Sequence, residues 1–132
     1  MMEGETELVE LTQHLLDSIA SGDWEAYQRL CDPTLTAFEP EARGHLVSGM
    51  AFHKFYFELP RELPQPVHTT MSAPHVRMLG MDAAVVSYIR LIQHVDENGR
   101  SNTARFEETR VWERQDGQWK NVHFHRSDNG AS

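Results

Sequence analysis

Four β-prone stretches in the second half of the chain constrain its fold more than any other feature. They run over Val67 to Leu79, Ala83 to Val95, Thr103 to Arg114 and Trp119 to Arg126. Two of the gaps between them read Asp96-Glu97-Asn98-Gly99 and Asp116-Gly117. Asn-Gly and Asp-Gly accept the positive φ angles that tight hairpin turns demand. Strands joined by such turns pair antiparallel, so this half of the chain predicts a meander of long strands.

The first half predicts helices. Leu8, Leu11, Leu15 and Ile19 recur at three- and four-residue steps, joined by Leu16, which is the spacing of one face of an amphipathic helix. Glu5, Glu7 and Glu10 fall in its early turns, where negative charge suits the positive end of the helix dipole. Gly22 stops it, and Asp23 is placed to cap a short second helix carrying Trp24, Tyr27 and Leu30. Asp32-Pro33 signals a turn, Thr34 to Phe38 a short strand, and Glu39-Pro40-Glu41 through Gly44 a loop. Ser48 is the expected cap of a third helix, Gly49 to Leu59, with Phe52, Phe55 and Tyr56 on one face. Three prolines between Leu59 and Pro66 then interrupt regular structure. Helices first and an antiparallel meander last make an α+β domain. A strongly twisted sheet wrapped around the third helix would form a cone with a mouth. One domain over residues 1–132, with its core at about 5–127, accommodates everything.

Charge and cysteine content exclude several functions. A formal net charge of −8 disfavours nucleic acid and anionic membrane surfaces, both of which need a surplus of Lys and Arg. Cys31 is the only cysteine, so an intrachain disulfide is impossible and a reducing compartment is expected. The first ten residues have neither a basic nor an apolar stretch of signal-peptide type, and no run reaches a membrane span's length. The expected localisation is cytoplasmic. No GxxxxGK phosphate loop is present, which argues against ATP binding and kinase activity in this chain; no cofactor is expected.

Arg90, Arg110 and Arg126 carry the sharpest chemical signal. Strand residues two apart share a face. Arg90 therefore lies with Val86, Tyr88 and Ile92, Arg110 with Phe106, Glu108 and Trp112, and Arg126 with Val122 and Phe124. Three arginines on otherwise apolar or aromatic faces of neighbouring strands would meet in one cavity. Guanidinium does not deprotonate in practice, so the cluster requires anions. Those anions are either internal, with Glu108 the nearest candidate, or belong to a bound ligand held by charge-assisted hydrogen bonds. His68 on the first long strand and Tyr56 on the third helix are further candidates for the pocket, each with a plain structural alternative. His123 and His125 form a His-x-His pair, but no third ligand lies near in sequence, so no metal site is expected. Cys31 reads as a small buried filler. Glu39 and Glu41 read as a loop pair facing water or a neighbouring subunit.

The segments CDPTLTAFEPEARGHLVSGMAFHKFYFE (31–58), PVHTT (66–70), SYIRLIQ (87–93) and EETRVWERQDGQWKNVHFHRS (107–127) together resemble the association domain of calcium/calmodulin-dependent protein kinase II. That resemblance implies the nuclear-transport-factor-2-like fold. It also implies a deep cationic pocket lined by arginines at these positions, and dimers stacked into rings of about twelve to fourteen subunits. The chain departs from the family at 59–65, LPRELPQ, where kinase hubs carry a longer tryptophan-containing loop. No kinase, calmodulin-binding or linker segment accompanies the hub, so a free-standing homologue is expected.

The outer face offers independent support for assembly. Val85, Ile89, Leu91 and Val95 form an apolar set opposite Arg90, extended in this reading by Trp119, His123 and His125. An apolar patch of that kind calls for partner burial. Two functions follow. One is a non-catalytic oligomerisation hub with a pocket for a small carboxylate or other anion. The other is a small cone-fold enzyme of isomerase, dehydratase or hydrolase type acting on a small anionic substrate, for which Glu108 or His68 would have to serve as base.

Overall fold

A computed structural model of the chain describes residues 3–59 and 67–127. The first helix, α1 (Glu3–Ser21), fully buries Leu8, Leu15 and Leu16 of the predicted stripe, with Leu11 and Ile19 half-buried against the core. Burying each of the three leucines contributes roughly 1.5–3 kcal/mol. Thr12 and Ser18 also face inward; each hydroxyl donates to a carbonyl of the preceding turn, Leu8 O at 2.8 Å and Leu15 O at 2.6 Å. Gly22, at φ 73°, ends the helix. Its N–H donates to Ile19 O and that of Asp23 to Ser18 O, the paired bonds of a Schellman cap. Asp23 then caps α2 (Trp24–Leu30), its carboxylate accepting from Ala26 N at 3.1 Å.

The strands are β1 (Cys31–Phe38), β2 (Val47–Ser48), β3 (Val67–Met78), β4 (Ala83–Val95), β5 (Ser101–Gln115) and β6 (Gln118–Arg126). They form one six-stranded sheet in the order β2-β1-β6-β5-β4-β3. The β3–β6 meander is antiparallel throughout, as the turn signals require. Asp116 (φ 51°) and Gly117 (φ 80°) both adopt the left-handed backbone expected of their hairpin. β1 adds a parallel pairing to β6. A 3-10 turn, Pro40–Ala42, follows β1.

The third helix, α3 (Ala51–Glu58), differs from expectation. Ser48 lies in β2 and makes no cap; Met50 occupies that position. Phe55 and Tyr56 are 60 % and 43 % exposed, whereas His53 is buried. The polar His53 therefore faces the interior together with Phe52 and Phe57, which pack against the core. The helix lying along the sheet is α1, against β3 and β4, rather than α3. α3 instead closes the open end, with the His53 ring 5.5 Å from that of Phe124. The proline-interrupted connection expected between Leu59 and Pro66 falls almost wholly outside the described residues.

Two bulges set which residues look inward. On β6 the register slips between Val111 and Trp112, which pair with His123 and Asn121. Val122 is the extra residue and loses the inward place that simple alternation assigns it; Asn121 takes it. Upstream of the slip the alternation is inverted, so Trp119 faces the core rather than the outer patch. Its indole N–H donates to Glu7 on α1 at 3.2 Å. On β3 a second irregularity between Ser72 and His75 includes Ala73 at φ 52°.

Candidate functional site

Between α3, the β1–β2 connection and the inner faces of β4, β5 and β6 lies a cavity of about 180 Å3. Arg90, Arg110 and Arg126 all line it, together with Tyr27, Tyr56, Phe124 and the acidic residues Glu39 and Glu41. The three arginines come from three adjacent strands and meet as strand alternation predicts. The cavity is smaller than the ~300 Å3 at which drug-sized sites begin, a scale that suits a ligand of a few heavy atoms.

Glu108 anchors the inner wall. It is paired with Tyr88 across β4 and β5, and its carboxylate is fully buried. Arg90 Nη1 donates to its Oε2 at 2.8 Å, Arg110 Nη2 approaches its Oε1 at 3.4 Å, and the Tyr88 hydroxyl also donates to Oε1. Burial alone would raise the pKa of this carboxyl, but Arg110 and Arg90 outweigh it and hold the group down at about 2. Arg110 is as constrained as its partner. Its Nε donates to the Tyr88 hydroxyl and its Nη1 to Asn121 Oδ1, both at 2.9 Å, while its guanidinium lies 4.3 Å from the Phe124 ring centre. Burial pushes the Tyr88 hydroxyl above its ordinary value, so it remains a neutral donor. Asn121 closes the network by donating to Val111 O and His123 O, at 2.8 and 3.0 Å, across the β6 bulge.

The outer wall is more exposed. Arg126, stacked 5.0 Å over Phe106, donates through Nη2 to Glu41 on the 3-10 turn. Glu39, just before that turn, accepts from His53 Nε2 at 2.6 Å, and both side chains are buried. A carboxylate only accepts, so Nε2 carries the proton of this contact. This contact explains the buried histidine of α3. It also corrects half of the reading of Glu39 and Glu41 as a loop pair facing water or a neighbouring subunit: both line the cavity, Glu39 buried and Glu41 still open to water.

Tyr56 lines the cavity and is half exposed. His68 does not reach the cavity. The β3–β4 register places Thr69 opposite Ile92 and Met71 opposite Arg90, so His68 pairs with Gln93 on the opposite face and is exposed. Cys31 is buried, and burial raises its thiol to about 12, as suits a filler rather than a nucleophile. His123 Nδ1 lies 2.8 Å from the Thr36 hydroxyl, and burial, with help from His125, lowers its pKa. Among the described residues no group of three or more His, Cys, Asp or Glu could hold a metal. Sequence reasoning missed His53 and Asn121. A histidine inside an aromatic helix and an asparagine at a bulge carry no local signal; each becomes significant only through a partner distant in sequence.

The comparisons with known proteins bear on this geometry. The family model for the calcium/calmodulin dependent protein kinase II association domain matches residues 4–130. The rabbit calcium/calmodulin-dependent protein kinase type II subunit delta is 54 % identical over 122 residues, which is 92 % of this chain and 23 % of that protein. The chain thus spans about a quarter of the length of that curated relative. The Chlamydomonas reinhardtii hub homology domain of this kinase superposes with a TM-score of 0.90 at 51 % identity, covering 96 % of this chain and 98 % of that one. A nuclear-transport-factor-2-like protein of Salmonella enterica has a TM-score of 0.72 at 22 % identity, over 97 % and 94 % of the two chains, a likeness of fold alone. The chain has the nuclear-transport-factor-2-like α+β fold and belongs to the calcium/calmodulin-dependent protein kinase II association domain family.

Proposed function

We propose that this chain is a non-catalytic assembly hub that pairs with its own copies and closes them into a ring of about twelve to fourteen subunits. The observation that carries the reading is the outer face of β4. Val85, Ile89, Leu91 and Val95 remain half exposed there, although a strand already packed on its inner face has no need of apolar residues on the other. Arg77 and Val111 flank Val85, Ser72 and Glu107 flank Ile89, and Thr70 and Arg105 flank Leu91. An apolar stripe with a polar border is the anatomy of a protein interface. Kinship with hub domains supports the same reading.

In the same reading the cavity accepts a small carboxylate or similar anion through its arginines, with Tyr56 at the mouth. The cone-enzyme alternative loses its proposed base, because a carboxylate held by two arginines at a pKa of about 2 is a poor one. His68, the other candidate, stands outside the cavity. The lone buried thiol suits a reducing, cytoplasmic setting. No helix among the described residues is long and apolar enough to cross a membrane.

Solution mass tests the proposal. With a chain of 15.2 kDa, native mass spectrometry is expected to give roughly 180–215 kDa for the closed ring. A species near ~30 kDa at every concentration would overturn it.

A further inference from the structure

Glu39 and Glu41 line the cavity beside Arg90, Arg110 and Arg126, and Glu108 lies behind its inner wall in contact with Arg90 and Arg110, so an external anion does not enter an uncompensated cationic site. For a carboxylate to gain a charge-assisted bond here, one of the resident carboxylates has to give way. The three are not equally able to do so. Glu108 is buried, gripped by two guanidinium groups and a tyrosine hydroxyl. Glu39 is buried against His53. Glu41 is 38 % exposed, sits on a three-residue 3-10 turn, and has one arginine as partner.

We propose that Glu41 is a built-in competitor for Arg126, and that a small carboxylate enters the cavity by exchanging with it. The inference rests on the anion-accepting reading of the cavity and names the residue that sets its affinity. Arg126 supplies an independent observation. Its Nε is buried with no hydrogen-bond partner, while Nη2 alone is engaged by the tethered Glu41. A guanidinium offers Nε and one Nη as a fork that matches both oxygens of a carboxylate. Glu41, tied to its turn, uses one prong. A free carboxylate can take both, and it has the Phe106 ring beneath the guanidinium to hold the fork in place. Displaced, Glu41 has water within reach, so its release does not strand a buried charge. Arg126 and Glu39 also line a neighbouring surface recess with Phe38, His45 and His125. Arg126 therefore borders both recesses, with Glu41 beside it on the cavity side.

Equilibrium dialysis of radiolabelled acetate against the assembled protein, at fixed ionic strength, tests this with two variants. Glu41→Gln removes the competitor's charge. Glu41→Asp keeps the charge but shortens the arm by one methylene, withdrawing it from Arg126. Both are expected to bind acetate about two- to fivefold more tightly than the parent, the range set by a part-exposed ion pair. Tightening by Glu41→Gln with none by Glu41→Asp would overturn the exchange and leave a general effect of charge on an intact anion site. Equal binding by all three proteins would likewise overturn the exchange alone. Binding by none would overturn the anion site and the exchange together. Circular dichroism and solution mass of each variant establish that the fold and assembly are unchanged.

Discussion

Glu108 shows how one side chain converts charge into stability. Its carboxyl titrates at about 2 in the folded chain, against an ordinary 4.5. Because the folded value is the lower one, the contribution is complete above about pH 4.5 and is lost as pH falls through about 2. It is on the order of 3 kcal/mol. Urea midpoints measured from neutral pH downward are expected to fall across that window. Glu108→Gln is expected to destabilise the protein by about 3–5 kcal/mol at neutral pH, since two buried guanidinium groups lose their counterion. The same variant is expected to flatten the acid limb of the pH profile. An unchanged limb would place the acid sensitivity elsewhere. At this scale the sequence reading was partly right: alternation along β4, β5 and β6 brought the three arginines together and named Glu108 as an internal partner, which it is for Arg90 and Arg110 but not for Arg126. It placed His68 in the cavity because a single strand's alternation does not reveal which face is inner until its register with β4 is known.

Among the elements, β6 inverts its alternation part-way along, and its bulge builds the site. Without the extra residue at Val122, Phe124 and Trp119 could not both face inward, because they stand five positions apart, an odd step. Asn121 holds the slip open by donating to Val111 O and His123 O, and it accepts from Arg110. Asn121→Ala strands all three partners in a buried setting, each at a cost of about 1–3 kcal/mol if fully unsatisfied. Repair by relaxation and water reduces that sum, so the expected loss is about 2–4 kcal/mol in chemical denaturation. A loss below about 1 kcal/mol would mean the bulge is held by backbone pairing alone. The helices make the complementary point. α1 was readable because its leucines recur with helical spacing and Gly22 and Asp23 mark its end and the start of α2. The orientation of α3 was not, because the face expected from Phe52, Phe55 and Tyr56 is rotated so that Phe52 and Phe57 pack on the core and Phe55 and Tyr56 are exposed. Glu39, fourteen residues upstream, selects His53 instead.

For the whole molecule, the question is what covers the outer face of the sheet. Ile89 lies half exposed opposite Glu107 on that face. Ile89→Glu places two like charges across a strand pair and a charge in the proposed contact. Native mass spectrometry is expected to show smaller assemblies than the parent, with unchanged far-ultraviolet circular dichroism. A ring of parental mass would remove this stripe from the assembly surface. The expected extension of the patch by Trp119 fails for the reason given by the bulge, but Phe38, 40 % exposed, takes a place beside His123 and His125 with ring centres 6.2 and 5.5 Å away. These rings come from β1 and β6, which meet only because the parallel pairing closes the sheet.

Periodicity, turn chemistry and caps are local, and each is written within a few neighbouring residues. They were therefore sufficient for the helix-then-meander order, the hairpins at Asp96–Gly99 and Asp116–Gly117, and the convergence of Arg90, Arg110 and Arg126. Register, bulges and the partners of buried charges depend on contacts between residues far apart in the chain. His53 with Glu39, Asn121 with Arg110, and Arg126 with Glu41 were decided there, by the need of each buried polar group for a partner once the sheet and helices had closed around it.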